Sequence, residues 1–98
     1  MSNERMETTR VRRRIIYHGR VQGVGFRYTV ATIAGHLPVV GYVKNLPDGT
    51  VELVVEAESC SMQGFLDQID AALEGNITDR VVSEPIGMKE LSEFRVRY

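Results

Sequence analysis

Between Gly19 and Arg27 the chain reads Gly-Arg-Val-Gln-Gly-Val-Gly-Phe-Arg, with glycines at 19, 23 and 25 and an arginine just past them. Glycine lets the backbone curl so that successive N–H groups converge, and such a concavity accepts an anion. The segment lies where a strand pattern gives way to a helix pattern, and a helix N-terminus adds unmet donors and a partial positive charge. A phosphate or carboxylate is the natural guest. Arg27, in the first helical turn, carries a planar fork able to hold two oxygens of that guest. A plainer account stands beside this one: a tight strand-to-helix turn favours glycine, and surface helices often carry arginine.

Other chemistries fit less well. Gly23-Val24-Gly25-Phe26-Arg27-Tyr28 opens like a dinucleotide-binding fingerprint but places Tyr28 where the third glycine belongs, and a P-loop's Gly-Lys-Ser/Thr is absent. Cys60, the single cysteine, lies between two serines at an expected helix start and reads as a structural or solvent-facing thiol. With His18 and His36 as the only histidines, a cysteine/histidine metal cage is not expected, and no metal or cofactor is.

The elements that must position these residues follow from periodicity. Residues 1–10 lack it and read as a flexible arm, leaving one domain over 11–98. VRRRIIYHG suits a strand with Ile15 and Tyr17 on one side. Phe26, Val30, Ile33 and Leu37 recur at helical spacing, with Gly35 as a left-handed cap and Pro38 as a stop. VVGYVKN and TVELVVEA alternate as strands around the turn Leu46-Pro47-Asp48-Gly49. Ser59 or Ser61 caps a second helix carrying Met62, Phe65, Leu66, Ile69 and Leu73, stopped by Gly75-Asn76. ITDRVVSE and FRVRY are two further strands, separated by a loop around Pro85 and Gly87. The order β-α-β-β-α-β with an extra C-terminal strand implies a ferredoxin-like α+β sandwich: an antiparallel sheet with both helices on one face and the other face open to water.

Ninety-eight residues, 43% of them hydrophobic and 26% charged, suit one globular domain and argue against disorder or a disulfide scaffold. No apolar run approaches a membrane span, so a cytoplasmic protein with no membrane partner is expected. Net charge is −1, yet seven arginines face two glutamates in residues 1–27. Arg10, Arg12, Arg13 and Arg14 read as a solvated tail entering a strand, with an anionic partner as the alternative.

Gly19-Arg20-Val21-Gln22-Gly23-Val24, Phe26-Arg27, Gly41-Tyr42-Val43-Lys44-Asn45 and Asp48-Gly49-Thr50-Val51-Glu52 together resemble the two-part signature of the acylphosphatases, and Phe94-Arg95-Val96-Arg97-Tyr98 is similar to that family's last strand. The likeness spans about residues 13–98. Tyr42 stands where the family often has tryptophan, Leu37-Pro38 replaces a usual glycine, and residues 1–12 have no counterpart.

The resemblance implies metal-independent hydrolysis of acyl phosphates to carboxylate and inorganic phosphate. Arg27 and the loop amides of Val21, Gln22, Gly23, Val24, Gly25 and Phe26 would bind the phosphoryl group, and Asn45 would position the attacking water. Asn45 also suits a plain role starting the hairpin turn. An acyl phosphate expels a carboxylate whose acid has a pKa of about 4, so no general acid is required. The expected partner is a small acyl phosphate, the expected state a monomer. A non-catalytic RNA- or small-anion-binding module of the same architecture is the rival reading. For RNA, the placement is wrong: VGFRY sits at a loop and helix start, and VELVVEA offers no aromatic for base stacking.

Overall fold

A computed structural model describes residues 9–85 and 90–98. Its elements are β1 (Arg10–Gly19), α1 (Phe26–Ala34), β2 (Val40–Asn45), β3 (Val51–Glu58), α2 (Ser59–Ala72), β4 (Ile77–Ser83) and β5 (Phe94–Arg97). β1 begins at Arg10, one residue inside the expected arm; residues 1–8 of that arm lie outside the described residues, as does Gly87. The five strands form one sheet in the order β4-β1-β3-β2-β5.

The sheet is mixed rather than wholly antiparallel. β1 pairs antiparallel with β3 and β4, β2 pairs antiparallel with β3, and β5 lies parallel to β2 with Gly41 opposite Phe94 and Lys44 opposite Arg97. The reason is one of direction: each helix returns the chain so that β1 and β2 point one way and β3 and β4 the other. β5, reversing after β4, regains the direction of β2. It also crosses from one edge of the sheet to the other, which strand patterns do not reveal.

Both helices pack on one face. Ile15, Tyr17, Val43, Leu53 and Val55 of the sheet meet Phe26, Val30 and Ala34 of α1 and Phe65 and Ile69 of α2 in a single core. The Tyr17 and Phe26 rings are 5.2 Å apart and tilted by 56°, which ties β1 to the start of α1. Burial pushes the Tyr17 phenol well above its usual pKa, so it stays neutral.

Two helix ends depart from expectation. Gly35 is right-handed (φ −66°), and Leu37 lies beyond α1. The tightened bonds from His36 N–H to Ile33 O and Leu37 N–H to Ala34 O satisfy the last carbonyls without a left-handed residue. At α2 the cap position is Glu58 rather than a serine, and no side chain caps it. The Ser59 N–H instead donates to the Thr9 carbonyl at 2.9 Å, so a distant piece of backbone fills the place of a serine hydroxyl.

The sheet face away from the helices is less open than its alternation suggests. Val54 is fully buried and Tyr42 is 6% exposed, beneath the Arg97 guanidinium 4.0 Å from its ring. Arg10 and Arg12 both donate to Glu56, and Arg14 donates to Glu52 at 2.7 Å. Arg10, Arg12 and Arg14 are thus strand residues facing glutamates across the β1–β3 ladder, while Arg13 pairs with Glu84 at 3.4 Å.

The hydrogen bonds from Arg10 and Arg12 hold the Glu56 carboxyl below its usual range. A carboxyl lowered on folding stabilises the protein above its unfolded pKa, and that contribution is lost as pH falls through the folded value. Glu56→Gln should therefore lower stability at pH 7 by roughly 0.5–1 kcal/mol. The deficit should shrink as pH drops below the ordinary glutamate value of 4.5. Urea unfolding of both proteins across pH checks this.

Candidate active site

The loop between β1 and α1 is pinned at both ends and free in the middle. Val21 and Phe26 are buried in the core. Between them Gly23 (φ 75°) and Gly25 (φ 76°) are left-handed, while Gln22, Val24 and Phe26 are not. Alternating handedness turns successive N–H groups toward one side, the geometry of an anion nest. A Cβ added at Gly23 or Gly25 meets nothing within 4 Å, so these positions need glycine for the backbone conformation and not for space. Gly25 is the N-cap of α1, no side chain caps that helix, and its first turn holds no acid. Its N-terminal donors are not taken up by a capping side chain.

Across from the loop stands the β2–β3 turn. Leu46 N–H donates to Thr50 O at 2.9 Å, Gly49 has φ 93°, and Asp48 Oδ1 accepts from the Thr50 amide at 3.0 Å and hydroxyl at 2.6 Å. Those two Thr50 bonds hold the Asp48 carboxyl below its usual range. The turn is closed without the side-chain oxygen of Asn45, which is buried and has no hydrogen-bond partner among the described residues. A buried orphan acceptor costs about 1–3 kcal/mol, so a role in shaping the turn does not account for this one.

Gln22 joins loop to turn. Its amide nitrogen donates to Leu46 O and Thr50 O, both at 2.8 Å. Gln22→Ala should remove this brace and lower stability by about 1–2 kcal/mol, read by urea unfolding, and should weaken binding of inorganic phosphate. Gln22→Glu, which points a carboxylate at two carbonyls, should be worse.

Arg27 projects from the first turn of α1. Its Nη1 donates to the Arg97 carbonyl at 2.9 Å, and its guanidinium lies 4.6 Å from the centre of the Tyr98 ring. Among the described residues no carboxylate pairs with it. The C-terminal strand therefore sets the position of this cation without neutralising it.

These parts enclose one hollow of about 210 Å³. Val21, Gly23, Gly25, Phe26, Arg27 and Asn45 line it, together with Tyr28, Val96 and Tyr98. Of the residues expected at the site, the structure brings those six together. Gln22 turns to the hairpin, and Val24 is outside the lining. His18 faces Asp79 across the β1–β4 ladder and takes no part. Tyr28, Val96 and Tyr98 were not legible as site residues, because the last two arrive only through the edge placement of β5. Among the described residues no group of three or more His, Cys, Asp or Glu is placed to hold a metal ion.

A family model described as Acylphosphatase matches residues 13–96. The chain belongs to the acylphosphatase family. An acylphosphatase of Geobacillus kaustophilus is 41% identical over 85 residues, 86% of this chain and 90% of that protein. One from Bordetella parapertussis is 49% identical over 74 residues, 76% of this chain and 67% of the relative. The crystal structure of acylphosphatase from Bacillus subtilis superimposes with a TM-score of 0.78 at 34% identity, covering 92% of this chain and all of that one. The acylphosphatase match takes in the glycine loop, Arg27 and Asn45, and ends at Val96, two residues short of the tyrosine that packs on Arg27.

Proposed function

We propose that this hollow hydrolyses the carboxyl–phosphate bond of acyl phosphates, with the phosphoryl group in the nest against Arg27 and the attacking water on Asn45. The observation that carries the reading is that Asn45, whose Oδ1 is buried and unpartnered among the described residues, lines the same hollow as Arg27. A carboxamide oxygen accepts a hydrogen bond from water and so aims a water lone pair toward phosphorus. As the P–O bond to water forms, the P–O bond to the acyl group breaks and its electron pair leaves on the carboxylate. Both water protons end on the phosphate product. Loop amides and the guanidinium stabilise charge on the equatorial oxygens throughout.

No Asp, Glu or His is among the described residues lining the hollow. That suits a carboxylate leaving group, stable unprotonated at neutral pH, better than the alkoxide of a phosphomonoester. Both walls come from one chain, which supports action as a monomer. Cys60 is exposed and unpaired, as suits a reducing compartment such as the cytoplasm.

The RNA-binding alternative finds less support. Tyr42 is covered by Arg97, and Glu52 and Glu56 are engaged by β1 arginines, so the described residues of this sheet face offer no free aromatic platform. The decisive assay follows phosphate release from acetyl phosphate, with inorganic phosphate as competitive inhibitor. Release that phosphate inhibits is expected; no release under any condition sinks the reading.

A further inference from the structure

The four tyrosines fall into two sets. Tyr17 and Tyr42 are buried, whereas Tyr28 is 76% and Tyr98 94% exposed, and both of the exposed ones line the hollow. Exposed large apolar side chains are few among the described residues: Val24, Tyr28, Val81, Val82 and Tyr98. Val81 and Val82 belong to the edge strand β4; Val24 sits between the two left-handed glycines of the loop. Apart from Val24, which lies outside the lining, the remaining exposed large apolar side chains among the described residues thus both line one opening. Neither exposed tyrosine hydroxyl has a hydrogen-bond partner within the described protein, so the rings are not held outward by polar contacts.

The polar groups of the hollow bind the phosphoryl end, so the acyl group must extend away from them toward the rim. Tyr28 directly follows Arg27, and Tyr98 packs on its guanidinium, which puts aromatic surface next to where the acyl group departs. Two rings flanking an opening, with Val96 also in the lining, match a planar apolar group: stacking covers apolar area on both partners and adds the quadrupolar attraction of aromatic pairs. A methyl group such as that of acetyl phosphate reaches little of this surface.

We propose that Tyr28 and Tyr98 form an acyl-group subsite that selects acyl phosphates with an aromatic acyl group. The inference rests on the phosphoryl-binding reading of the same hollow. It predicts a higher kcat/KM for benzoyl phosphate than for acetyl phosphate. Tyr28→Ala should cut the benzoyl-to-acetyl ratio about three- to tenfold, chiefly through KM for benzoyl phosphate. Tyr28→Phe, which keeps the ring and removes the hydroxyl, should preserve the ratio. Because Tyr28 is exposed, thermal unfolding of both variants should match the wild type.

The outcomes separate cleanly. If the wild type hydrolyses both substrates with equal kcat/KM, or if Tyr28→Ala leaves the ratio unchanged, the subsite is refuted while the phosphoryl site stands. If Tyr28→Phe loses the ratio as fully as Tyr28→Ala, the hydroxyl and not the ring is the recognition element, and the aromatic subsite is again refuted. If the wild type hydrolyses neither substrate, the reading of the hollow itself fails, and the subsite with it.

Discussion

Arg27→Gln is expected to lower kcat for acyl phosphate hydrolysis by about 10²–10³ while leaving a folded protein. The size of the effect follows from what the side chain does. Of five N–H donors on a guanidinium, one bond from Nη1 goes to the Arg97 carbonyl, and among the described residues nothing else takes up the remaining donors. With no carboxylate beside it among the described residues, its full charge would, on the proposed reading, face the equatorial oxygens as the bond to the acyl group breaks. Glutamine keeps one amide donor group and no charge. Arg27→Lys should recover only part of the loss, since an ammonium cannot bridge the Arg97 carbonyl and grip two oxygens together. Binding of inorganic phosphate should weaken in both variants. Far-UV circular dichroism and urea unfolding guard against misfolding; a folded Arg27→Gln protein within threefold of wild-type kcat would remove Arg27 from the mechanism.

The positions legible in the sequence are those whose reasons are local. Gly23 and Gly25 are glycines because their own φ values demand it, and Leu46–Thr50 closes through bonds within five residues. The 3.6-residue spacing of Phe26 and Val30 likewise needs no knowledge of what they pack against. Contacts between distant segments left no such trace. Ser59 looked like a cap because serine usually serves there, but its N–H is met by Thr9, some fifty residues earlier. Gln22 read as one more loop amide, whereas its side chain braces a turn 24 and 28 residues away. The support of Arg27 by Arg97 spans 70 positions and depends on β5 crossing to the edge beside β2. That the crossing strand must run parallel to β2 does follow from counting reversals along the chain; which edge it joins does not.

Asn45 offers the sharper test, because activity and stability should move in opposite directions. Its Oδ1 is buried without a partner among the described residues, a cost the folded protein carries. Asn45→Ala removes that orphan, so stability should be unchanged or rise by up to about 1 kcal/mol, even as kcat falls on the order of 100-fold or more. A residue kept for packing or for the turn would show the reverse: lower stability and little change in turnover. The loss should fall on kcat and spare the inhibition constant of inorganic phosphate, since on the proposed reading the nest and Arg27 hold the phosphoryl group without help from the carboxamide. Asn45→Asp is nearly isosteric but brings a negative charge into a hollow that the proposed reading assigns to an anion. It should weaken phosphate binding as well as turnover, which distinguishes charge repulsion from the loss of an oriented water. Unchanged kcat in a folded Asn45→Ala protein would leave the buried oxygen without a catalytic reason and place the attacking water elsewhere.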